Sequence, residues 1–232
     1  TLTPEHMPAR PDATTDLPNE PTVADLIRQG AAEFERAGLA YGHGTDNAID
    51  EAAALVFHAL GLDHSQAEAA YEVRPGADGV ALMRALFAER IAKRVPAAYL
   101  MGRMWFAGLE FEVDPRVIVP RSPFAELIHG RFEPWIDPAR VHRILDIGTG
   151  SGCIAIACAV AFPDATVDAV DVSPQALEVA RRNVARHEVG DRLRLHLGDV
   201  YAPLGDARYD LIVSNPPYVS DAEMQDLPPE YL

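Results

Sequence analysis

The chain has 232 residues, of which 48% are hydrophobic, and a formal net charge of −15 at pH 7. This length accommodates one large domain or two smaller ones with a substantial core. The negative charge argues against nonspecific nucleic-acid binding, which needs a basic face, and favours a basic protein as partner. With two cysteines, no apparent export signal and no apolar run near the roughly 18 residues of a membrane span, a cytoplasmic protein is expected, with no membrane partner.

The N-terminal part is predicted to be a mobile tail followed by a small helical domain. Residues 1–21 are rich in Pro, Thr, Asp and Glu, a composition typical of disorder. Three amphipathic patterns then predict helices that begin near residues 22, 46 and 77, within a domain of residues 22–102. Their predicted buried stripes are Val23, Leu26, Ile27, Ala31 and Phe34; Ile49, Ala52, Ala53, Val56 and Leu60; and Val80, Met83, Leu86, Phe87 and Ile91.

A β-hairpin linker is predicted over residues 103–120. Apolar residues alternate from Phe106 to Val113, and a second β-prone run covers residues 117–119. The tripeptide Asp114-Pro115-Arg116 lies between these runs. Two β-prone runs around a proline-containing turn are typical of a hairpin, so this tripeptide is the predicted turn.

From about residue 140, strand and helix patterns alternate, which indicates right-handed βαβ units and a parallel sheet. The predicted strands cover residues 143–147, 166–170, 193–197 and 209–213, and the predicted helices residues 153–161 and 174–187. Cys153 and Cys158 lie in one apolar stretch and are expected to be buried thiols, with no metal site. Ligands of such sheets bind at the carboxyl ends of the strands, so the residues that follow each strand are the candidates for function.

A glycine loop, residues 146–152, follows the first predicted strand. Glycines at alternate positions let the backbone turn sharply and approach a ligand closely. Alone this pattern is weak, because many nucleotide binders share it. Its third glycine is one residue earlier than in the dinucleotide fingerprint, and a Gly-Lys-Ser/Thr phosphate loop is absent from the sequence.

Acidic residues follow the second and third predicted strands. Asp171 lies about twenty residues beyond the glycines, where a carboxylate can accept hydrogen bonds from two ribose hydroxyls. The alternative is a solvated aspartate that caps the next helix. Asp199, in Gly198-Asp199-Val200, can accept from an adenine amino group, although Gly-Asp in isolation is more often a turn.

The tetrapeptide Asn215-Pro216-Pro217-Tyr218, here the Asn-Pro-Pro-Tyr turn, follows the fourth predicted strand. Its prolines fix φ and leave backbone carbonyls free as acceptors, beside an amide and an aromatic ring. Such a group suits a planar –NH₂ substrate. An ordinary Pro-Pro turn is the alternative, but the position after three strand ends of cofactor-binding type favours the –NH₂ site.

Residues 143–218 resemble class I S-adenosylmethionine-dependent methyltransferases, and the Asn-Pro-Pro-Tyr turn is similar to their amino-methylating branch. Segments 96–102, 106–113 and 119–127 extend this to a resemblance with bacterial glutamine N5-methyltransferases over roughly residues 22–232. Release-factor enzymes of this family usually carry Pro-Arg-Pro-Glu where this chain has Pro120-Arg121-Ser122-Pro123. The Ser-Pro version, and residues 221–231, resemble the branch that methylates large-subunit ribosomal protein L-three.

The resemblance implies a helical substrate-recognition domain in residues 22–102 and an S-adenosylmethionine-binding catalytic domain in residues 121–232, whose class I methyltransferase sheet is apparently truncated after the fourth of the usual seven strands. It implies methyl transfer from S-adenosylmethionine to a glutamine amide of a translation protein, with S-adenosylhomocysteine as product. The implied amide-binding residues are Asn215, Pro216, Pro217 and Tyr218. The implied cofactor residues are Asp146, Gly148, Thr149, Gly150, Ser151, Gly152, Asp171, Val172, Asp199, Val200 and Asn215.

Three alternatives stay open at this point. A release factor, rather than a ribosomal protein, can be the substrate within the same family. An adenine-N6 nucleic-acid methyltransferase needs the same grip on an exocyclic amine, although the acidic charge argues against it. A noncatalytic cofactor-binding module or a dinucleotide oxidoreductase is disfavoured by the glycine spacing and the tetrapeptide.

Overall fold

The computed structural model describes residues 20–42, 44–63, 66–119, 123–216 and 227–231. The predicted tail up to residue 19, the segments 120–122 and 221–226, and Pro217 and Tyr218 lie outside these ranges. Among the helices of these ranges, none combines the length and the hydropathy that a membrane span requires. The described buried side chains form one cluster drawn from residues 23–97 and another drawn from residues 98–213. The predicted domain boundaries remain predictions.

The first cluster is built by helices. They are α1 (Val23–Arg36), α2 (Ala48–Leu60), α3 (Ala67–Tyr71), α4 (Gly76–Lys93) and α5 (Ala97–Met101). Helix α1 begins where it does because Thr22 and Asp25 form a reciprocal cap: the Thr22 hydroxyl accepts from the Asp25 N–H at 3.1 Å, and the Asp25 carboxylate accepts from the Thr22 N–H at 3.0 Å. The predicted stripe of α1 is buried in full, which confirms that prediction.

The predicted stripe of α2 is partly wrong. Ile49 is 44% exposed, whereas Leu55 and Phe57, which lie outside the predicted stripe, are buried. Helix α2 contacts α1, α4 and α5, so it buries more than one face. Helices α3 and α5 have five residues each, too few for a periodic apolar pattern to reveal them.

The hairpin exists, but its predicted turn is wrong. Strands β1 (Arg103–Phe106) and β2 (Leu109–Glu112) pair antiparallel. The two residues between them, Ala107 and Gly108, have φ of 48° and 77°. A two-residue turn with positive φ at both positions matches the twist of a hairpin. Asp114-Pro115-Arg116 forms a turn beyond the hairpin instead, where the Val117 N–H donates to the Asp114 carbonyl at 3.0 Å.

The second cluster surrounds a parallel sheet. Its elements are α6 (Phe124–His129), β3 (Arg143–Ile147), α7 (Cys153–Ala161), β4 (Thr166–Asp171), α8 (Pro174–Arg186), β5 (Leu193–Leu197) and β6 (Leu211–Ser214). In the described residues the strand order is β5-β4-β3-β6, and every pair is parallel. The predicted α/β class is confirmed. The strand order reverses at β3, so a ligand crevice is expected above its carboxyl end.

Two details of the sheet refine the predictions. Strand β6 begins at Leu211, two residues later than predicted, and the Asp210 carboxylate before it accepts from the N–H groups of His142 and Arg143, at 2.9 Å each, at the start of β3. Cys153 and Cys158 are buried in α7 as free thiols, as predicted. Burial raises the pKa of Cys153 to about 12, so this thiol stays protonated at neutral pH.

Candidate active site

A cavity of about 370 Å³ lies at the carboxyl ends of the strands, within the size range of small-molecule sites. The predicted residues that line it are Gly148, Thr149, Gly150, Ser151, Asp171, Val172, Asp199, Val200 and Asn215. The lining does not include Asp146, Gly152 or Pro216. Pro217 and Tyr218 are not described. The structure therefore brings three predicted cofactor segments and the first residue of the Asn-Pro-Pro-Tyr turn to one cavity.

The glycine loop has the backbone conformation that its glycines permit. Gly148, Gly150 and Gly152 have φ of 72°, 56° and 81°, a region that other residues adopt only at a cost. No heavy atom lies within 4 Å of a Cβ built at Gly148 or Gly150. At these two positions glycine is therefore favoured by the positive φ alone and not by lack of space. At Gly152 a Cβ would also lie 3.3 Å from the Ala180 Cβ. This glycine therefore allows α7 and α8 to pack closely.

Asp146, at the end of β3, is buried beneath the glycine loop. Its Oδ2 accepts from the Thr149 hydroxyl at 2.7 Å, which supports the loop. Its Oδ1 has no hydrogen-bond partner among the described residues. Burial raises the pKa of Asp146 to about 6, although the Thr149 hydroxyl and the nearby backbone N–H of Ala155, which is outside hydrogen-bond geometry, act in the opposite direction. A buried acceptor without a donor is costly, and a cationic ligand group would relieve that cost.

Asp171 links the glycine loop to the start of α8. Its Oδ2 accepts from the Gly150 N–H at 2.8 Å, and its Oδ1 accepts from the Ser173 N–H at 2.9 Å. Each carboxylate oxygen has two lone pairs, so both keep acceptor capacity for a ligand hydroxyl. The helix cap is Ser173, whose hydroxyl accepts from the Ala176 N–H at 3.1 Å. The alternative reading of Asp171 as the cap of this helix is therefore wrong.

Hydrogen bonds hold the ends of β5 and β6 beside the ends of β4 and β3. The Gly198 N–H donates to the Asp171 carbonyl at 3.0 Å, so Asp199 and Val200 follow at the exposed rim of the cavity. The Ser214 hydroxyl donates to the Ile147 carbonyl at 2.9 Å and holds the end of β6 against β3. Asn215 therefore emerges half-buried next to the glycine loop.

Sequence reasoning missed one wall of the cavity, formed by Arg116, Val117 and Ile118. These residues lie beyond the hairpin and carry no local signal of a ligand site. The Val117 carbonyl accepts from the Tyr99 hydroxyl of α5 at 2.6 Å. Arg116 donates to Glu178 of α8 at 2.6 Å. Contacts with helices that are distant in sequence thus bring this wall to the site.

A buried asparagine in α8 joins the hairpin to the glycine loop. The Asn183 Oδ1 accepts from the Glu112 N–H at 2.7 Å, and its Nδ2 donates to the Glu112 carbonyl at 3.0 Å. The same Nδ2 donates to the Ser151 carbonyl at 2.8 Å. Asn183 is 0% exposed, so these bonds lie away from water. They set the position of β2 relative to the cavity.

Comparisons with known proteins agree with this arrangement. A family model described as the methyltransferase small domain matches residues 134–227. The ribosomal protein uL3 glutamine methyltransferase of Bordetella pertussis is 50% identical over 211 residues, which cover 90% of this chain and 71% of that protein. The protein of the same name from Xanthomonas campestris is 49% identical over 210 residues, which cover 90% of this chain and 68% of that protein.

The parallel sheet, the cavity at its carboxyl end and the matched family model together define an α/β methyltransferase. At this identity and coverage, the chain belongs to the family of ribosomal protein uL3 glutamine methyltransferases.

Proposed function

We propose that this protein transfers a methyl group from S-adenosylmethionine to the side-chain amide nitrogen of a glutamine in ribosomal protein uL3: the sulfur–methyl bond breaks as the nitrogen–methyl bond forms, S-adenosylhomocysteine is left, and one amide proton is released to water. The observation that carries the proposal is that Asn215 lines the same cavity as the glycine loop and Asp171. The candidate amide-binding residue is thereby adjacent to the candidate cofactor residues. A cytoplasmic location is proposed with it, because ribosomal proteins are made and assembled there.

The residues of the cavity fit S-adenosylmethionine. Asp146 lies beneath the glycine loop and outside the cavity lining; its Oδ1 has no partner among the described residues, and the proposal assigns it to the ammonium of the methionine part. Asp171 keeps acceptor capacity for the ribose hydroxyls. Asp199 and the Val200 N–H suit the adenine edge at the rim. When bound, the cofactor supplies an electrophilic methyl group on a sulfonium.

The chain must make a poor nucleophile reactive. The lone pair of an amide nitrogen is delocalised into its carbonyl. In the proposed role, the Asn215 side-chain oxygen accepts one N–H of the target amide and the Pro216 carbonyl accepts the other, which raises the electron density at nitrogen and holds it in line for attack. Orientation of this kind can lower a barrier by several kcal/mol, and preorganised acceptors by about 3 kcal/mol more.

The other two residues of the turn complete the proposal from the family resemblance. Pro217 would fix the backbone, and Tyr218 would pack on the amide plane. The protein's charge of −15 supports a basic substrate, since ribosomal proteins carry cationic surfaces for RNA phosphates. Long-range attraction would speed the encounter of the two proteins.

The test is methyl transfer from labelled cofactor to purified uL3, with a release factor, RNA and DNA as parallel substrates. The expected result is one added methyl group on a glutamine of uL3, identified by mass spectrometry. Label on the release factor alone would move the protein to the other branch of the family. Label on nucleic acid alone would favour an adenine-N6 enzyme, and binding of NAD without S-adenosylmethionine would revive an oxidoreductase.

A further inference from the structure

One buried side chain of α8 connects two parts of the molecule that meet at the cavity. Asn183 is 0% exposed, and its carboxamide bonds to the backbone of two segments that are 71 and 32 positions away in sequence. The first is Glu112, the last residue of β2, and the second is Ser151 of the glycine loop. Ser151 itself lines the cavity. A side chain of one helix thus ties a strand of the hairpin to the candidate cofactor loop.

The carboxamide of Asn183 pairs with Glu112 as a neighbouring strand would. Its Oδ1 accepts from the Glu112 N–H at 2.7 Å, and its Nδ2 donates to the Glu112 carbonyl at 3.0 Å. The second hydrogen of the same Nδ2 is available for the Ser151 carbonyl, 2.8 Å away. An amide side chain has two donors and an acceptor, so all three capacities are used on backbone groups. An aspartate or a leucine of similar size could not make this set of bonds.

The chain that leaves Glu112 forms another wall of the same cavity. After residues 113–115, the stretch Arg116–Ile118 lines the cavity, and it is here named the 116–118 wall. The Val117 N–H donates to the Asp114 carbonyl at 3.0 Å, which stiffens this short connection. A displacement of Glu112 is therefore expected to displace the wall.

Ion pairs also attach this segment to α8, but they are partly exposed to water. Arg182 pairs with Glu112 at 2.8 Å and with Asp114 at 3.0 Å, and the arginine side chain is 41% exposed. Pairs of this kind contribute little, because water screens them. A backbone group that loses its partner away from water, in contrast, has nothing to replace it. The buried amide of Asn183 is therefore the stronger attachment.

We propose that Asn183 is a positioning residue for the cofactor: its buried amide holds the glycine loop at Ser151 and the 116–118 wall at a fixed spacing, and so sets the width of the cavity that S-adenosylmethionine enters. The inference rests on the proposed function, since it assigns that cavity to the cofactor. Asn183 is not part of the cavity lining, so it acts on binding through the two segments that it holds.

The test variant is Asn183→Ala, and its matched control is His187→Ala. His187 directly follows α8 and contacts the same strand: its Nε2 lies 2.9 Å from the Glu110 carbonyl, and its ring centre lies 4.9 Å from that of Phe111. Among the described residues it has no hydrogen bond to the glycine loop. Both variants loosen α8 from β2, but only Asn183→Ala releases the loop.

We expect Asn183→Ala to raise the Kd for S-adenosylmethionine by roughly tenfold or more, which corresponds to about 1.4 kcal/mol, and His187→Ala to leave it within about twofold of wild type. Isothermal titration separates this effect from partial unfolding, because unfolded protein lowers the binding stoichiometry, whereas a misplaced wall raises the Kd at full stoichiometry. In methyl transfer to uL3, the KM for the cofactor should rise by the same factor in Asn183→Ala, with kcat at saturating cofactor within about twofold of wild type.

Amide hydrogen exchange of the wild-type protein, measured by NMR, gives a second test that needs no variant. The Glu112 N–H donates to Asn183, whereas the Val113 N–H donates to the Gly102 carbonyl beside β1. Because Asn183 couples β2 to the glycine loop, saturating S-adenosylmethionine should slow exchange at Glu112 more than at Val113. This measurement decides the question if Asn183→Ala does not fold, and equal slowing at the two amides would then overturn the proposal.

An unchanged Kd in folded Asn183→Ala would overturn the proposal, and so would equal increases in Kd in the two variants. A wild-type protein that does not bind S-adenosylmethionine would overturn both this inference and the proposed function. A wild-type protein that binds the cofactor but leaves uL3 unmethylated would refute only the proposed reaction, and the comparison of Kd values would still decide the role of Asn183.

Discussion

Two regions of this protein bury carboxylates in opposite ways. At the carboxyl end of the sheet, Asp146 is buried without a cation beside it, one of its oxygens has no partner among the described residues, and its pKa is raised to about 6. Between the helices, Glu230 and Glu51 are buried against Arg90 and Arg94. The carboxyl end of the sheet thus holds a buried carboxylate that no described cation balances, whereas the helical network pairs its charges within the protein, although Arg90 Nη1 and Glu230 Oε2 also lack hydrogen-bond partners among the described residues. Stability is expected to depend on the second region and chemistry on the first.

The largest expected effect is on stability, from Arg90→Met. Removal of one partner leaves two buried carboxylates without their shared cation, and breaking a buried pair in this way costs about 3–5 kcal/mol. Denaturant unfolding should report this loss, while the folded fraction should bind S-adenosylmethionine normally. A loss of unfolding free energy below about 1 kcal/mol would mean that the network does not stabilise the helices. The contrast drawn between the two regions would then be wrong.

Asn215→Ala should lower turnover and leave stability nearly unchanged. We expect kcat for uL3 to fall by about 10²–10³-fold, the loss typical of one preorganised group that stabilises a transition state. The melting temperature and the Kd for S-adenosylmethionine should change little, because Asn215 is half-buried at the cavity edge. Parallel losses of affinity and kcat would contradict the role proposed for this side chain.

Asp146→Asn tests the unbalanced carboxylate by its pH dependence. The pKa of Asp146 is raised from 3.8 to about 6 on folding, so the folded protein binds this proton more tightly than the unfolded chain. Stability due to this group is therefore greatest below about pH 4, falls as pH rises towards 6, and stays lower above it. The ligand-free variant should be more stable than wild type at pH 8, by on the order of 2 kcal/mol, and show no such gain at pH 4.

The same variant should bind S-adenosylmethionine more weakly, because it lacks the charge proposed to pair with the ammonium group. Isothermal titration at pH 8 measures this directly. Undiminished affinity would show that Asp146 does not bind the cofactor. Its only role at the site would then be to hold Thr149 of the glycine loop.

The smallest expected effects come from alanine variants of two glycines with similar backbone angles, one in the cavity and one outside it. Gly150 and Gly61, the residue that ends α2, have φ of 56° and 62°, and no heavy atom lies within 4 Å of a Cβ built at either. Alanine at each should cost a similar 1–2 kcal/mol or so of stability from the left-handed backbone. Only Gly150→Ala, in the cavity, should also weaken cofactor binding. Equal affinity in the two variants would show that the loop geometry tolerates the strain.

The parts of the fold that were predicted correctly are those with local causes. The periodicity of residues 143–197 predicted three strands and two helices, and alternate glycines predicted the loop whose φ values are positive. The hairpin turn was placed at Asp114-Pro115-Arg116, because a proline turn is a strong signal. Ala107-Gly108 forms the turn instead, because both residues adopt the left-handed conformation that a tight hairpin needs.

The sequence by itself determined which chemical groups follow each strand of the sheet: a glycine loop, two acids and an asparagine before two prolines. This is possible because strand periodicity and turn residues act over a few neighbours. Only the tertiary structure decided that Arg116, Val117 and Ile118 form a wall of the cavity, and that Glu230 binds Ala40, 190 positions away. Those contacts depend on how separate elements pack, and no local pattern in the chain specifies a partner at such a distance.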